Sequence, residues 1–150
     1  MSSTLKVKLD EGAFIPSKAY STDAGYDLKS PIPISIPPKS SIIINTGIHV
    51  QIPHSYAGLL VSKSGLNINH DITSTGLIDE GYTGPIIVKL YNMNDKYYNI
   101  ARGDKITQLV LIKTNYLDIE VIKNDEEFKI TNENEKCNCR GNNGFGSSGK

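Results

Sequence analysis

The 150-residue chain carries sixteen basic and sixteen acidic side chains, a net charge of zero that argues against nucleic acid or membrane held by bulk electrostatics. Any phosphate must be held by a local cluster, and at this length one domain around a single core is expected. No apolar run is long enough for a transmembrane helix, and Met1-Ser-Ser-Thr-Leu-Lys6 lacks the apolar stretch of a signal peptide, so an intracellular soluble protein, cytoplasmic or nuclear, is expected.

Along the chain the apolar residues alternate with polar ones instead of recurring at helical spacing. Leu5, Val7 and Leu9 alternate with lysines, and Ile32, Ile34 and Ile36 alternate with Pro and Ser, the pattern of strands with one face inward. Further strands are predicted over residues 41–44, 48–52, 58–61, 86–91, 106–112 and 118–122, punctuated by Gly, Pro, Asn and Asp. Many short strands with regular turn signals predict an all-β sandwich, barrel or jelly roll. One short helix is expected after Ser64-Gly65, over residues 66–70. The polar stretch 124–136 reads as a tether, so the β-rich core is expected over 1–123 and a tether with a flexible glycine-rich arm over 124–150.

Five segments carry chemistry. Asp23-Ala-Gly-Tyr-Asp-Leu28 sets two carboxylates around a glycine turn, which suits an Asx turn between strands as well as it suits Asp27 holding the water shell of a divalent cation. Ser62-Lys-Ser-Gly-Leu66 puts Lys63, the Ser64 hydroxyl and Gly65 side by side, the chemistry of a phosphate-cradling loop, although such clusters are common in plain loops. Gly76-Leu-Ile-Asp-Glu-Gly-Tyr-Thr-Gly84 holds Asp79 and Tyr82 in a glycine-bounded turn and reads locally as a hairpin. Within Arg102-Gly-Asp-Lys-Ile-Thr-Gln-Leu109, Gln108 is a polar residue between apolar neighbours and needs a hydrogen-bond partner. The chain ends Arg140-Gly-Asn-Asn-Gly-Phe-Gly-Ser-Ser-Gly-Lys150, which fits a flexible terminus taken alone. It equally fits an arm closing over phosphate and a base: Phe145 stacks, Gly146 lets backbone N–H groups approach, Ser147 and Ser148 donate, and Arg140 forks onto phosphate.

Taken in series, these segments resemble the motifs of the homotrimeric dUTP pyrophosphatase (dUTPase) family from about Asp23 to Gly149. The resemblance implies a jelly-roll-like homotrimer with active sites at subunit interfaces, the tail of one chain closing a pocket made by two others. It implies hydrolysis of dUTP to dUMP and pyrophosphate with Mg²⁺, which limits uracil in DNA and supplies dUMP for thymidylate synthesis. Asp79 would be the general base for the attacking water, and Asp27 would hold a water ligand of the magnesium. Lys63, Ser64, Gly65 and Gln108 would lie on the phosphate side. Tyr82 would leave no room for a ribose 2′-hydroxyl, and the backbone at Gly76 and near Ile87 would read uracil. Phe145, with Gly146 beside it, would stack on the base while Arg140, Ser147 and Ser148 grip the distal phosphates. These roles suit phosphoryl transfer, which needs positioning and charge neutralisation more than a covalent nucleophile.

The chain departs from the family pattern in three places. Ser62-Lys63-Ser64-Gly65 stands where Pro-Arg-Ser-Gly is usual, replacing a rigid bidentate cation by a flexible point charge. Pro85 follows Gly84 where a polar residue is more usual, which removes a backbone donor at the start of a strand. Cys137 and Cys139 lie outside the pattern; one residue apart, they are too close for an easy mutual disulfide, and His49, His54 and His70 give them no zinc-ligand spacing, so both are read as reduced. Two rivals share the fold. A dCTP deaminase should lack the Gly-Phe-Gly-Ser tail, and a nucleotide-binding regulatory protein is favoured only by Lys63.

Overall fold

The structure is a computed structural model that describes residues 4–124, over which the chain forms ten strands and one helix. In order these are β1 (Lys6–Leu9), β2 (Gly25–Lys29), β3 (Ile34–Ile36), β4 (Ser40–Asn45), β5 (Ile48–Gln51), β6 (Tyr56–Val61), α1 (Ser64–His70), β7 (Ile72–Ile78), β8 (Ile87–Asn92), β9 (Tyr98–Ile100) and β10 (Lys105–Lys113). Every ladder is antiparallel. A six-stranded sheet runs β2-β10-β6-β7-β8-β4, and two-stranded pairs β1-β5 and β3-β9 complete the set.

The alternation in the sequence becomes inside and outside in β8, where Val88, Leu90 and Asn92 are buried and Ile87, Lys89 and Tyr91 face out. The fully buried large side chains are mostly aliphatic, among them Leu28, Ile36, Ile44, Ile48, Ile72, Ile86, Leu90, Ile106 and Leu109. Asn92 is buried among them because its amide donates to the carbonyls of Ile36, Pro37 and Lys96, and its oxygen accepts from the Asn94 N–H. Leu5 and Leu9 pack against this core, whereas Val7 stays partly exposed and Ile32 lies outside β3.

Three strands lie beyond the predicted set, and one predicted strand is absent. β2, β7 and β9 contain Asp, Ser, Thr, Gly or Asn at positions where periodicity needs apolar residues, and they are strands because neighbours pair with them. Residues 118–122 alternate as a strand should but pair with no strand among the described residues, and Leu117, Ile119 and Val121 are exposed. Alternation alone does not make a strand, because its backbone N–H and C=O groups need a ladder partner. The first of two compact units ends at Tyr116. The helix begins two residues earlier than expected, at Ser64.

Candidate active site

The hairpin expected around Asp79 is a splayed one. β7 and β8 pair only over Ile72–Asn92, Thr73–Tyr91 and Ser74–Leu90. Beyond Ser74, β7 turns its ladder to β6, with Gly76 opposite Leu60 and Ile78 opposite Gly58. β8 meanwhile pairs with β4, with Ile87 opposite Asn45. The two strands therefore diverge, and between them opens a cavity of about 240 Å³ lined by Leu60, Gly76, Leu77, Ile78, Asp79, Tyr82, Ile86 and Ile87. That is below the roughly 300–1,000 Å³ of sites for drug-sized ligands, and suits one small ring with the rest of a ligand outside. The facing backbone edges of β7 and β8 have no ladder with each other here, so their N–H and C=O groups are available to a guest. Gly76 keeps the floor thin, since a Cβ there would stand 3.1 Å from the Leu60 side chain.

Two neighbouring carboxylates in the loop between β7 and β8 have opposite surroundings. Glu80 accepts from His54 Nδ1 at 2.9 Å, from the Ser55 N–H at 3.0 Å and from the Tyr116 hydroxyl. The Tyr116 hydrogen bond, then those from His54 and Ser55, lower its pKa to about 2. Asp79 is exposed, and among the described residues its carboxylate makes no side-chain hydrogen bond, while its carbonyl caps the turn by accepting the Tyr82 N–H at 3.2 Å. Tyr82 lies over Gly84, where a Cβ would overlap the phenol ring, and its hydroxyl donates to the Pro85 carbonyl at 2.9 Å. A larger cavity of about 510 Å³ opens on the other side of this loop and shares only Tyr82 with the first. It contains neither Asp79 nor Gly76.

A second cluster gathers where β10 lies between β2 and β6. Gln108 sits opposite Asp27 on one side and Val61 on the other. A bulge between Lys105 and Thr107 lets the consecutive Ile106 and Thr107 both be buried. Asp27 is 6% exposed and takes Lys63 Nζ on Oδ1 and Lys105 Nζ on Oδ2, the latter at 2.7 Å. Burial pushes its carboxyl up, but hydrogen bonds from Lys105 and Lys63 outweigh it and hold the pKa below the ordinary value. Gln108 Nε2 donates to the Ser62 carbonyl at 3.2 Å, and Gly25 leaves room for the Gln108 side chain, which a Cβ would meet at 3.0 Å. Ser62, in place of the usual proline, accepts the Ser74 N–H at 2.9 Å and donates to the Ser74 carbonyl at 3.0 Å, extending the β6–β7 contact by a side chain.

Lys63 precedes α1, which has no side-chain cap, so the first-turn N–H groups have no partner within the helix. A Cβ at Gly65 would meet nothing within 4 Å, so packing within the chain does not require glycine there. No side-chain hydrogen bond or ion pair joins this cluster to the cavity beside Asp79 among the described residues. Of the residues singled out in the sequence, Gly76, Asp79, Tyr82 and Ile87 come together at the cavity, and Asp27, Lys63 and Gln108 at the second cluster, with Ser64 and Gly65 following Lys63. Arg140, Phe145, Gly146, Ser147 and Ser148, like Cys137 and Cys139, lie outside the described residues. Sequence reasoning missed Lys105 as the second partner of Asp27, because the bulge that delivers it has no sequence signal.

The sequence matches the dUTPase family over residues 11–149. The chain belongs to the dUTPase family. It is 37% identical over 143 residues to the deoxyuridine 5′-triphosphate nucleotidohydrolase of fowlpox virus, an alignment that covers 95% of this chain and 94% of the relative. Its fold is similar to that of a Staphylococcus bacteriophage 80alpha dUTPase variant solved with dUpNHpp, with a TM-score of 0.86 and 29% identity over 99% of this chain and 100% of the other. It is also similar, with a TM-score of 0.77 and 29% identity, to a dUTPase variant of phage phi11 of S. aureus that coordinates a structural Mg(II) ion; that match covers 83% of this chain and 99% of the other. The all-β architecture is that of the family.

Proposed function

We infer that the chain is a dUTP diphosphatase, converting dUTP and water to dUMP and pyrophosphate with Asp79 as the general base. The observation that carries the residue roles is the gathering of Gly76, Asp79, Tyr82 and Ile87 around one small cavity between diverging strands. Uracil enters that cavity and meets the free backbone edges near Gly76 and Ile87. Backbone edges closing on the ring would reject thymine by the clash of its methyl group and cytosine by mismatched donors and acceptors. Tyr82, braced by Gly84 and Pro85, occupies the space a ribose 2′-hydroxyl would need. Asp79 accepts a proton from the attacking water, its carboxylate being bonded to no other side chain among the described residues, whereas Glu80 is engaged in holding the loop.

Lys63, Ser64, Gly65 and Gln108 form the phosphate side. The donor set here fits magnesium through water. Mg²⁺ keeps several waters and takes one or two carboxylates plus substrate phosphates, and Asp27 is a single carboxylate whose oxygens each accept one lysine and each retain a second lone pair. Among the described residues no three His, Cys, Asp or Glu side chains are close enough to cage a metal. Magnesium bound to the triphosphate neutralises phosphoryl charge. Asp27 would orient one of its waters and at the same time hold Lys63 in place.

The absence of any side-chain hydrogen bond or ion pair between the cavity and the Asp27 cluster among the described residues is compatible with sites completed by other subunits of a homotrimer. The apolar side chains Ile43, Leu77, Ile87 and Tyr91 exposed on adjacent strands β4, β7 and β8, with Lys89 among them, support an interface on this face. The arm closes each site, with Phe145 over the base, Gly146 giving close backbone approach, and Arg140, Ser147 and Ser148 on the distal phosphates. No described helix is long and apolar enough to cross a membrane. The balance of sixteen basic and sixteen acidic side chains supports neither nucleic acid nor membrane as partner, and we place the enzyme in the cytoplasm or nucleus. The test is release of pyrophosphate from dUTP and of ammonia from dCTP. Purified protein should release only the former, and Asp79→Asn should lower turnover about 10²–10⁴-fold while dUTP still binds. Ammonia from dCTP without pyrophosphate from dUTP refutes the reading, and near-normal turnover of the variant removes Asp79 from the base role.

A further inference from the structure

His49 lies outside every motif above, on β5 opposite Lys8 of β1. Its ring faces an acceptor at each nitrogen. Nδ1 is 2.8 Å from the Thr83 carbonyl oxygen, and Nε2 is 3.1 Å from both oxygens of the Asp10 carboxylate. A neutral imidazole has one N–H, so it donates to one of these partners and points a lone pair at the other. Only the imidazolium donates to both.

The carbonyl it holds belongs to the loop that carries Tyr82. Thr83 lies between Tyr82 and Gly84, and the return limb of the loop is fixed to β5 one residue earlier, where Ile86 donates its N–H to the Ile48 carbonyl at 2.8 Å. Two successive β5 residues therefore grip the segment that sets the Tyr82 ring. The His49 side chain is 16% exposed, which limits screening of its bonds. The charged groups around it are Asp10 and Lys8, with Lys6 and Glu80 on the same cavity wall; Glu80 is turned to His54 and Tyr116.

We propose that His49 is a positioning residue for Tyr82, acting as an imidazolium that clamps the Thr83 carbonyl to Asp10 and thereby ties sugar selection to pH. The role rests on the reading of Tyr82 as the gate against ribose. The Thr83 carbonyl, then Asp10, raises the imidazole pKa above 6.5 against burial and Lys8. A raised native value means that the clamp is fully present below pH 6.5 and is lost as pH rises through the native pKa.

The experiment has two arms on the full chain. In the first, ¹⁵N-resolved ring signals of His49 should show both nitrogens protonated at about pH 6 and a titration above 6.5. In the second, the ratio of kcat/KM for dUTP to that for UTP, followed from about pH 5.5 to about pH 9, should fall roughly 2- to 10-fold across that titration, the range of one hydrogen bond. Asp10→Asn should shift both transitions to lower pH and keep the acid plateau, and His49→Gln should remove the pH step. A His49 titration at or below 6.5 overturns the clamp whether or not dUTP is hydrolysed. If dUTP is hydrolysed and Tyr82→Ala loses discrimination, but the ratio stays flat across the His49 titration or Asp10→Asn leaves its midpoint unmoved, the positioning role is overturned and the gate stands.

Discussion

Asp79 and Glu80 are adjacent carboxylates with unlike fates, because among the described residues one makes no side-chain hydrogen bond and the other accepts from His54, Ser55 and Tyr116. No local pattern distinguishes them. His54 is 26 residues from Glu80 in the chain and Tyr116 is 36 away, so the engaged carboxylate is recognisable only once these three segments meet. Tyr82 likewise depends on its neighbours: its ring occupies the space over Gly84 and its hydroxyl is tied to Pro85. Tyr82→Ala should therefore weaken discrimination between dUTP and UTP by opening room for the 2′-hydroxyl. Gly84→Ala should do the same with the tyrosine still present, since the new Cβ must displace the ring. The ratio of specificity constants for the two nucleotides checks both, and an unchanged ratio in both variants moves the gate elsewhere.

At the scale of elements, the departures from regular pairing build the site. A fully paired β7–β8 hairpin would close its own backbone groups and leave no cavity; the passage of β7 to β6 beyond Ser74, while β8 stays on β4, opens one. The bulge in β10 turns Lys105 to Asp27 while keeping Ile106 and Thr107 in the core. Helix α1 has no fully buried residue and starts without a side-chain cap; it is seated on the core through the half-buried Leu66 and on Tyr98 through His70, while its first turn faces outward with its N–H groups unpaired within the helix. Gly65→Ala separates a role of that turn in binding substrate from one in packing. Alanine meets no atom within 4 Å and is the better helix former by roughly 0.5–1 kcal/mol, so thermal stability should hold or rise. The KM for dUTP should nevertheless increase, because the methyl group occupies space left for phosphate. A variant with unchanged KM would take Gly65 out of the substrate site.

For the whole molecule, the proposed homotrimer is tested by whether one chain's arm completes another chain's site. If each site takes Asp79 from one chain and the arm from another, Asp79→Asn chains and chains deleted beyond residue 139 should complement each other when refolded together. Random assembly makes about three quarters of trimers mixed, and roughly a quarter of wild-type sites should reappear under cyclic symmetry. An arm folding back on its own subunit gives none. Absence of activity in assemblies shown by native mass spectrometry to be mixed trimers would therefore overturn the shared site and leave the dUTP reaction standing.

Alternation and turn residues by themselves determined the all-β class, seven of the ten strands closely enough to place them, and the short helix near residues 66–70. Each of these depends on which side chains in a row are apolar and on which residues permit a turn. The family was legible as well, since its motifs are short runs of adjacent residues. The tertiary structure alone decided β2, β7 and β9, whose polar residues become strand because neighbours complete their hydrogen bonds, and it leaves residues 118–122 with no ladder partner among the described residues. It also decided that Asp27 has two lysines, that Ser62 is bonded to Ser74, and that His49 faces two acceptors. These are contacts between residues 12 to 78 positions apart, and an unfolded sequence carries no information on their distance until the ladder registers are set.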